Sequence, residues 1–269
     1  MRSRKRREVD EVGLDIFYEK ILRLYDENKF TEAIKSVKDA IRHYPYSSEP
    51  YIWLGDLLFE SSDLLGALES YHKAINLDEK NYIALSAAAK IYFLIGDFEK
   101  ANSYVDRSLD NNPEEAEALY LKALLLDRDG NFSLADQYLK KANLIEPENY
   151  PKPISISRTN FEVLIKLVLQ KLPDRVREFM DNITIVVEDV PSASDIEAEM
   201  SPLSLSKLSI ENEPAGRVFK IVLFRRNIEH FSQDESELKE NINICLLNEI
   251  NKILTVLEGD IPDGREHKG

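Results

Sequence analysis

Small residues recur along the first half of the chain at a fixed spacing of 34. Four lines beginning at Leu14, Ser48, Tyr82 and Ala116 align without a gap. Their twentieth place reads Ala33, Ala67, Ala101 and Ala135, their twenty-seventh Ala40, Ala74, Ser108 and Ala142, and their eighth Ile21, Gly55, Ala89 and Ala123. Large residues hold places 4 (Phe17, Tyr51, Leu85, Leu119) and 24 (Val37, Tyr71, Val105, Leu139). The pattern predicts two antiparallel helices per unit, with small side chains where backbones approach and large ones filling the space between. Place 15 (Asn28, Ser62, Gly96, Gly130) supplies the left-handed turn that ends the first helix. Asp63, Asp97 and Asn131 follow as caps of the second helix. Pro45, Pro113 and Pro147 at place 32 stop that helix, with Glu79 standing there in the second unit.

The pattern changes after residue 149. Residues 150–160 have prolines and no helical period, and read as a linker ending in an N-cap at Thr159 or Asn160. Phe161, Leu164, Ile165, Val168, Leu169 and Leu172 form one helix face, broken at Pro173. The β-branched run 183–190 predicts a strand, and 217–226 a second one, central because Phe219 and Ile221–Phe224 are apolar on both faces. Between them, 191–216 is rich in Ser, Pro and Glu and is expected to be irregular. A long last helix carries Leu238, Ile242, Leu246, Ile250, Ile253 and Leu257 as its stripe. Asn248, Glu249 and Lys252 interrupt its apolar run.

Composition narrows the function classes. With 269 residues, 43% hydrophobic and 31% charged, the chain has room for one large or two modest domains. A net charge of −14 argues against nucleic acid as a partner of the body of the protein. The basic start, Arg2–Arg7, lacks an apolar stretch behind it and reads as a solvated tail over 1–13, as does 261–269. No run is apolar enough to span a membrane. One cysteine, Cys245, excludes an intramolecular disulfide and fits a cytoplasmic setting. His43, His72, His230 and His267 share no ligand spacing, and no phosphate-binding or nucleophile-elbow motif is present. No cofactor is expected.

The 34-residue units, most clearly Tyr51–Asn81, resemble the tetratricopeptide repeat. The resemblance implies an α-helical solenoid of four helix-turn-helix repeats, 14–47, 48–81, 82–115 and 116–149. Its groove would be lined by the first helices, and Tyr18, Tyr25, Ile52, Asp56, Phe59, Phe93, Tyr120 and Arg128 are the candidates to face it. Aromatic anchors mixed with acids suit a protein or peptide ligand carrying basic residues; the competing reading is that these side chains only pack. The Lys, Asn and Arg positions with which this family grips acidic C-termini are almost all missing.

Residues 161–260 are similar to small bacterial zincin-like metallopeptidases. The likeness lies in "FEVLIKLVLQKLPDRVREFMDNITIVVEDVP", then "KIVLFRRNI", then the final helix. That family implies a small α+β domain with H-E-x-x-H-x-x-G-x-x-D on the helix. Here its positions fall on Asn248, Glu249, Lys252, Thr255 and Glu258, so only the glutamate is kept. Amide and ammonium are poor substitutes for imidazole at zinc, so no metal and no catalysis are expected. Lys252 instead pairs with Glu249, or with Asn248 and Glu249 together. The resulting expectation is a binding scaffold with a pseudoenzyme domain; the alternative is an active metallopeptidase with a non-standard metal site. An array needs its last face covered, so the second domain or a second copy should cover repeat 4 near Leu134, Tyr138 and Leu144.

Overall fold

The computed structural model describes residues 2–150, 152, 154–181, 183–214 and 216–259, with side chains from residue 13 to 257 apart from Glu213. The chain divides into two compact units, Met1–Lys122 and Ala123–Gly269. Eight helices cover the repeats: α1 (Arg2–Asp26), α2 (Phe30–His43), α3 (Glu49–Glu60), α4 (Leu64–Leu77), α5 (Tyr82–Leu94), α6 (Phe98–Asn111), α7 (Ala116–Arg128) and α8 (Phe132–Ile145). The backbone of 2–13, expected as a tail, continues α1.

The periodic positions do what their sizes require. Every alanine at places 20 and 27, and Ser108 with them, is buried. At place 8, a Cβ added to Gly55 would lie 2.4 Å from the Tyr71 ring, so only glycine admits that contact. Asn28, Ser62, Gly96 and Gly130 all have positive φ. After each, the next amide (Lys29, Asp63, Asp97, Asn131) donates back five residues to the carbonyl of Leu24, Leu58, Tyr92 or Leu126. One Schellman closure is thus used four times. Asp63 and Asp97 accept from the Gly66 and Lys100 amides, as their positions predict. Asn131 makes no such side-chain bond. Asn81 caps α5 through the Ala84 amide and donates to Ser48 Oγ, tying repeat 3 to repeat 2.

The second unit contains the end of α7 from Ala123, all of α8, and an α+β fold. Its further elements are α9 (Arg158–Gln170), α10 (Asp174–Met180), β1 (Thr184–Glu188), α11 (Ala193–Glu197), β2 (Ser206–Glu213), β3 (Gly216–Phe224), α12 (Arg225–His230) and α13 (Glu235–Gly259). Ser157, not Thr159 or Asn160, caps α9, accepting from the Asn160 amide. The sheet order is β1-β3-β2, with β1 parallel and β2 antiparallel to the central β3. Two expectations fail here. The stretch 191–216 holds α11 and β2, because Lys207–Glu211 alternates polar with Leu208 and Ile210 beneath its Ser- and Glu-rich composition. The strand expected to run to Arg226 ends at Phe224, and Arg225 opens α12. Phe161, Leu164, Ile165 and Val168 of α9 share one core with Ile221 and Leu223 of β3 and Leu238, Ile242, Leu246, Ile250 and Ile253 of α13. Leu257, counted in the stripe, is exposed.

α12 is buried although four of its six residues are Arg225, Arg226, Asn227 and Glu229. Arg226 donates to Asp127 (2.8 Å), Glu229 (2.7 Å) and Asp136 (2.6 Å). Arg225 meets Asp189 (2.8 Å), Glu229 (2.9 Å) and the Ile156 carbonyl (2.9 Å). His230 Nε2 lies 2.9 Å from Asp127 Oδ2. Both guanidiniums lie over the Phe132 ring. Burial alone would lower the Arg226 pKa, but these carboxylates outweigh it and hold the guanidinium charged. This network, with Arg128 donating to the Pro191 carbonyl, joins α7 and α8 to the α+β fold. The described residues do not cover Leu134, which is exposed, or Leu144, which is 82% accessible, and Tyr138 is half-buried.

Candidate functional site

In the first unit, α1, α3 and the start of α5 enclose a cleft of about 370 Å³. Tyr18, Leu22, Tyr25, Trp53 and Ile83 give it apolar walls, and Glu49, Asp56 and Glu60 line it too. Tyr18 stacks on Trp53, with centroids 5.1 Å apart and planes at 29°. Tyr71 donates its hydroxyl to Asp56 Oδ1 at 2.7 Å. Asp56 is exposed as a residue, but its carboxyl is crowded. Burial pushes its pKa up to about 6 against the help of Tyr71 and Lys90, and Glu117 and Glu60 push the same way. Nearby, Lys90 lies over the Phe59 ring (4.9 Å) and pairs with Glu117 (2.8 Å).

The expected groove set is thus divided. Tyr18 and Tyr25 are exposed, Asp56 opens on the cleft, and Phe59 is partly buried under Lys90. Ile52 and Phe93 are 6% and 2% accessible. Ile52 joins the core around Tyr71 and Leu85 and still lines the cleft, whereas Phe93 packs edge-on against Phe98. Tyr120 is partly buried, and Arg128 is committed to Pro191. Trp53 and Glu49 were missed: Trp53 lies one place beyond Ile52, and Glu49 is the first residue of α3.

In the second unit, the end of β2 and one face of α13 border a pocket of about 460 Å³. Ser204, Ser206, Cys245, Asn248, Glu249 and Lys252 line it. Glu249 is buried. Its Oε1 accepts from Ser206 Oγ and from Lys252 Nζ, both at 2.8 Å. Its Oε2 has no hydrogen-bond partner among the described residues. Lys252 is 57% accessible and Asn248 is exposed, so Glu249 is the one inward member of the group. Thr255 turns its hydroxyl to the Asn251 carbonyl at 2.9 Å. The Glu258 side chain lies outside the described residues. Burial raises the Cys245 thiol pKa, so that thiol is poorly suited to act as a nucleophile.

Comparison with protein families resolves both halves. Tetratricopeptide repeat models match residues 18–82, 58–125 and 116–149, and a zincin-like metallopeptidase model matches 180–264. The chain is a tetratricopeptide repeat protein with a zincin-like metallopeptidase domain. A TPR repeat-containing protein of Methanocaldococcus jannaschii is 29% identical over 131 residues, 44% of this chain and 23% of the relative. Human protein O-mannosyl-transferase TMTC3 is 27% identical over 117 residues, 43% of this chain and 13% of the relative. The chain therefore spans a minor part of these curated relatives. The crystal structure of MamA protein is similar with a TM-score of 0.42 and 20% identity, covering 61% of this chain and 84% of that one.

The zincin-like domain's residues can be tested against the zinc that its family implies. A zinc site wants three or four donors from imidazole, thiolate or carboxylate. Among the described residues no group of three His, Cys, Asp or Glu comes together. The turn offers one carboxylate with an ammonium bonded to it. His72 instead lies between Tyr92 and Tyr104 of the repeats, His230 faces Asp127, His43 bonds the Asp39 carbonyl, and His267 lies outside the described residues. The described residues do not fit zinc. No helix of the described residues is long and apolar enough to cross a membrane.

Proposed function

We propose that this protein binds other proteins through its tetratricopeptide repeats and that its zincin-like domain does not hydrolyse peptides. The repeats carry the interaction side of this reading, as repeats of this kind present first-helix faces to protein ligands. One contact carries the loss of catalysis: Lys252 Nζ stands 2.8 Å from the Glu249 carboxylate. A general base must be free to take a proton from water, whereas Oε1 of this carboxylate is already held by an ammonium and a serine hydroxyl. A cytoplasmic adaptor is consistent with the single buried thiol. The exposed Leu134 and Leu144 give this adaptor a face for self-association, measured as a mass above one chain by light scattering and lost in Leu144→Ser.

A second reading, a metallopeptidase with an unusual metal site, draws on the unpartnered Glu249 Oε2 beside its pocket. The two readings separate in a casein cleavage assay of the full chain with and without added zinc. The binding reading expects no cleavage above buffer and no difference between wild type and Glu249→Gln. Zinc-stimulated cleavage that disappears in Glu249→Gln would overturn it.

A further inference from the structure

The cleft on the repeats has a marked imbalance of charge. Among the described residues three carboxylates, Glu49, Asp56 and Glu60, line it, and no basic residue does. The stacked Tyr18–Trp53 pair lines the same cleft, and its ring faces carry negative quadrupole density. Leu22 and Ile83 are exposed beside them. Carboxylates crowded by one another and by burial are relieved by a cation, and stacked rings offer that cation a second attraction. The same repeats already use this chemistry internally, where Lys90 sits between the Phe59 face and Glu117.

Resting on the reading that the repeats hold a protein segment, we propose that this cleft takes a basic amphipathic segment of another protein. Its Arg or Lys head lies against the Tyr18–Trp53 stack and pairs with Glu49, Asp56 and Glu60, and its apolar side chains cover Leu22 and Ile83. An acidic tail is repelled by the same three groups. Recognition weakens in acid, because Asp56 must be ionised to pair and its pKa stands at about 6. The groups facing that carboxyl are Tyr71 of α4, Glu60 of α3, Lys90 of α5 and Glu117 of α7, with the α1 tyrosines across the cleft.

The test selects a displayed library of random 12-residue peptides on the full chain. The exposed double variant Tyr18→Ala/Leu22→Ser serves as the background, since it removes cleft surface without altering charge. The expected result is enrichment, over that background, of sequences with Arg or Lys spaced among apolar residues. The best of them, made synthetically, binds about tenfold more weakly when its Arg is replaced by citrulline or when Asp56→Asn is introduced. Moving from pH 7.5 to 5 weakens the wild type by a similar factor and leaves Asp56→Asn nearly unchanged. Cleft-dependent peptides that are neutral or acidic would refute the basic ligand while leaving protein binding intact. No enrichment over the double variant would refute the cleft as a binding site altogether.

Discussion

In the repeats, the places where helices meet are filled by Ala33, Ala67, Ala101 and their partners, all buried and all without charge. In the second unit, α12 meets α7 and α8 through Arg226, Asp127, Asp136 and Glu229, of which Asp136 alone keeps appreciable contact with solvent. The two regions hold helices together by opposite means. Small apolar contacts work wherever backbones can approach, so one solution repeats every 34 residues and tolerates variation at each copy. A buried ion network works only as a whole, because removing one member leaves its partners desolvated. The first arrangement confers regularity. The second ties α12 to α7 and α8 in particular.

The contrast is broken most forcefully at Arg226. Arg226→Met should destabilise the second unit by roughly 3–5 kcal/mol, since three carboxylates lose their guanidinium. Chemical denaturation reads the loss, and hydrogen exchange should accelerate in α8 and α12. Converting Asp127 and Asp136 to Asn in the same chain should recover part of it; a loss no larger than that of a surface substitution would mean the network is not a lock. A smaller effect is expected in the repeats. Gly55→Val drives a side chain into the Tyr71 ring and should cost about 1–3 kcal/mol. Trp53, two residues away and the only tryptophan, reports it by fluorescence. The smallest effect has the opposite sign. Ser62 occupies the left-handed turn that glycine holds in repeats 3 and 4, so Ser62→Gly should stabilise the array by about 0.5–1 kcal/mol. A destabilising result would show that the serine makes a contact beyond its turn.

How legible each region was in the sequence follows from the same contrast. The repeat helices, their left-handed turns and two of the three aspartate or asparagine caps could be read because each feature recurs at a set place, so a deviant residue such as Ser62 is corrected by its neighbours. Strand β2 was hidden by composition although the alternation through Leu208 and Ile210 was present. The α12 network gave no usable local signal. Arg225 and Arg226 follow an apolar strand directly, and Arg226's partners Asp127 and Asp136 lie 99 and 90 residues away. Pairing at such a separation is a property of topology. At the candidate sites, the Lys252–Glu249 bond was readable as an i,i+3 relation on one helix. The groove was only half readable: helix-face counting named Tyr18, Tyr25, Ile52 and Asp56, which line one cleft, but could not tell that Phe93 is buried. A few tens of degrees of rotation about a helix axis decide whether a side chain is wall or filling.

The central claim is that the turn Asn248–Lys252 holds an ammonium where relatives of its fold hold a divalent cation. The most direct measurement is anomalous diffraction at the zinc edge from crystals of the full chain soaked in zinc. The account predicts no ordered peak within coordinating distance of Glu249, with Lys252 Nζ seen against its carboxylate. A strong zinc peak coordinated by Asn248 or Glu249, with Lys252 displaced, would contradict it.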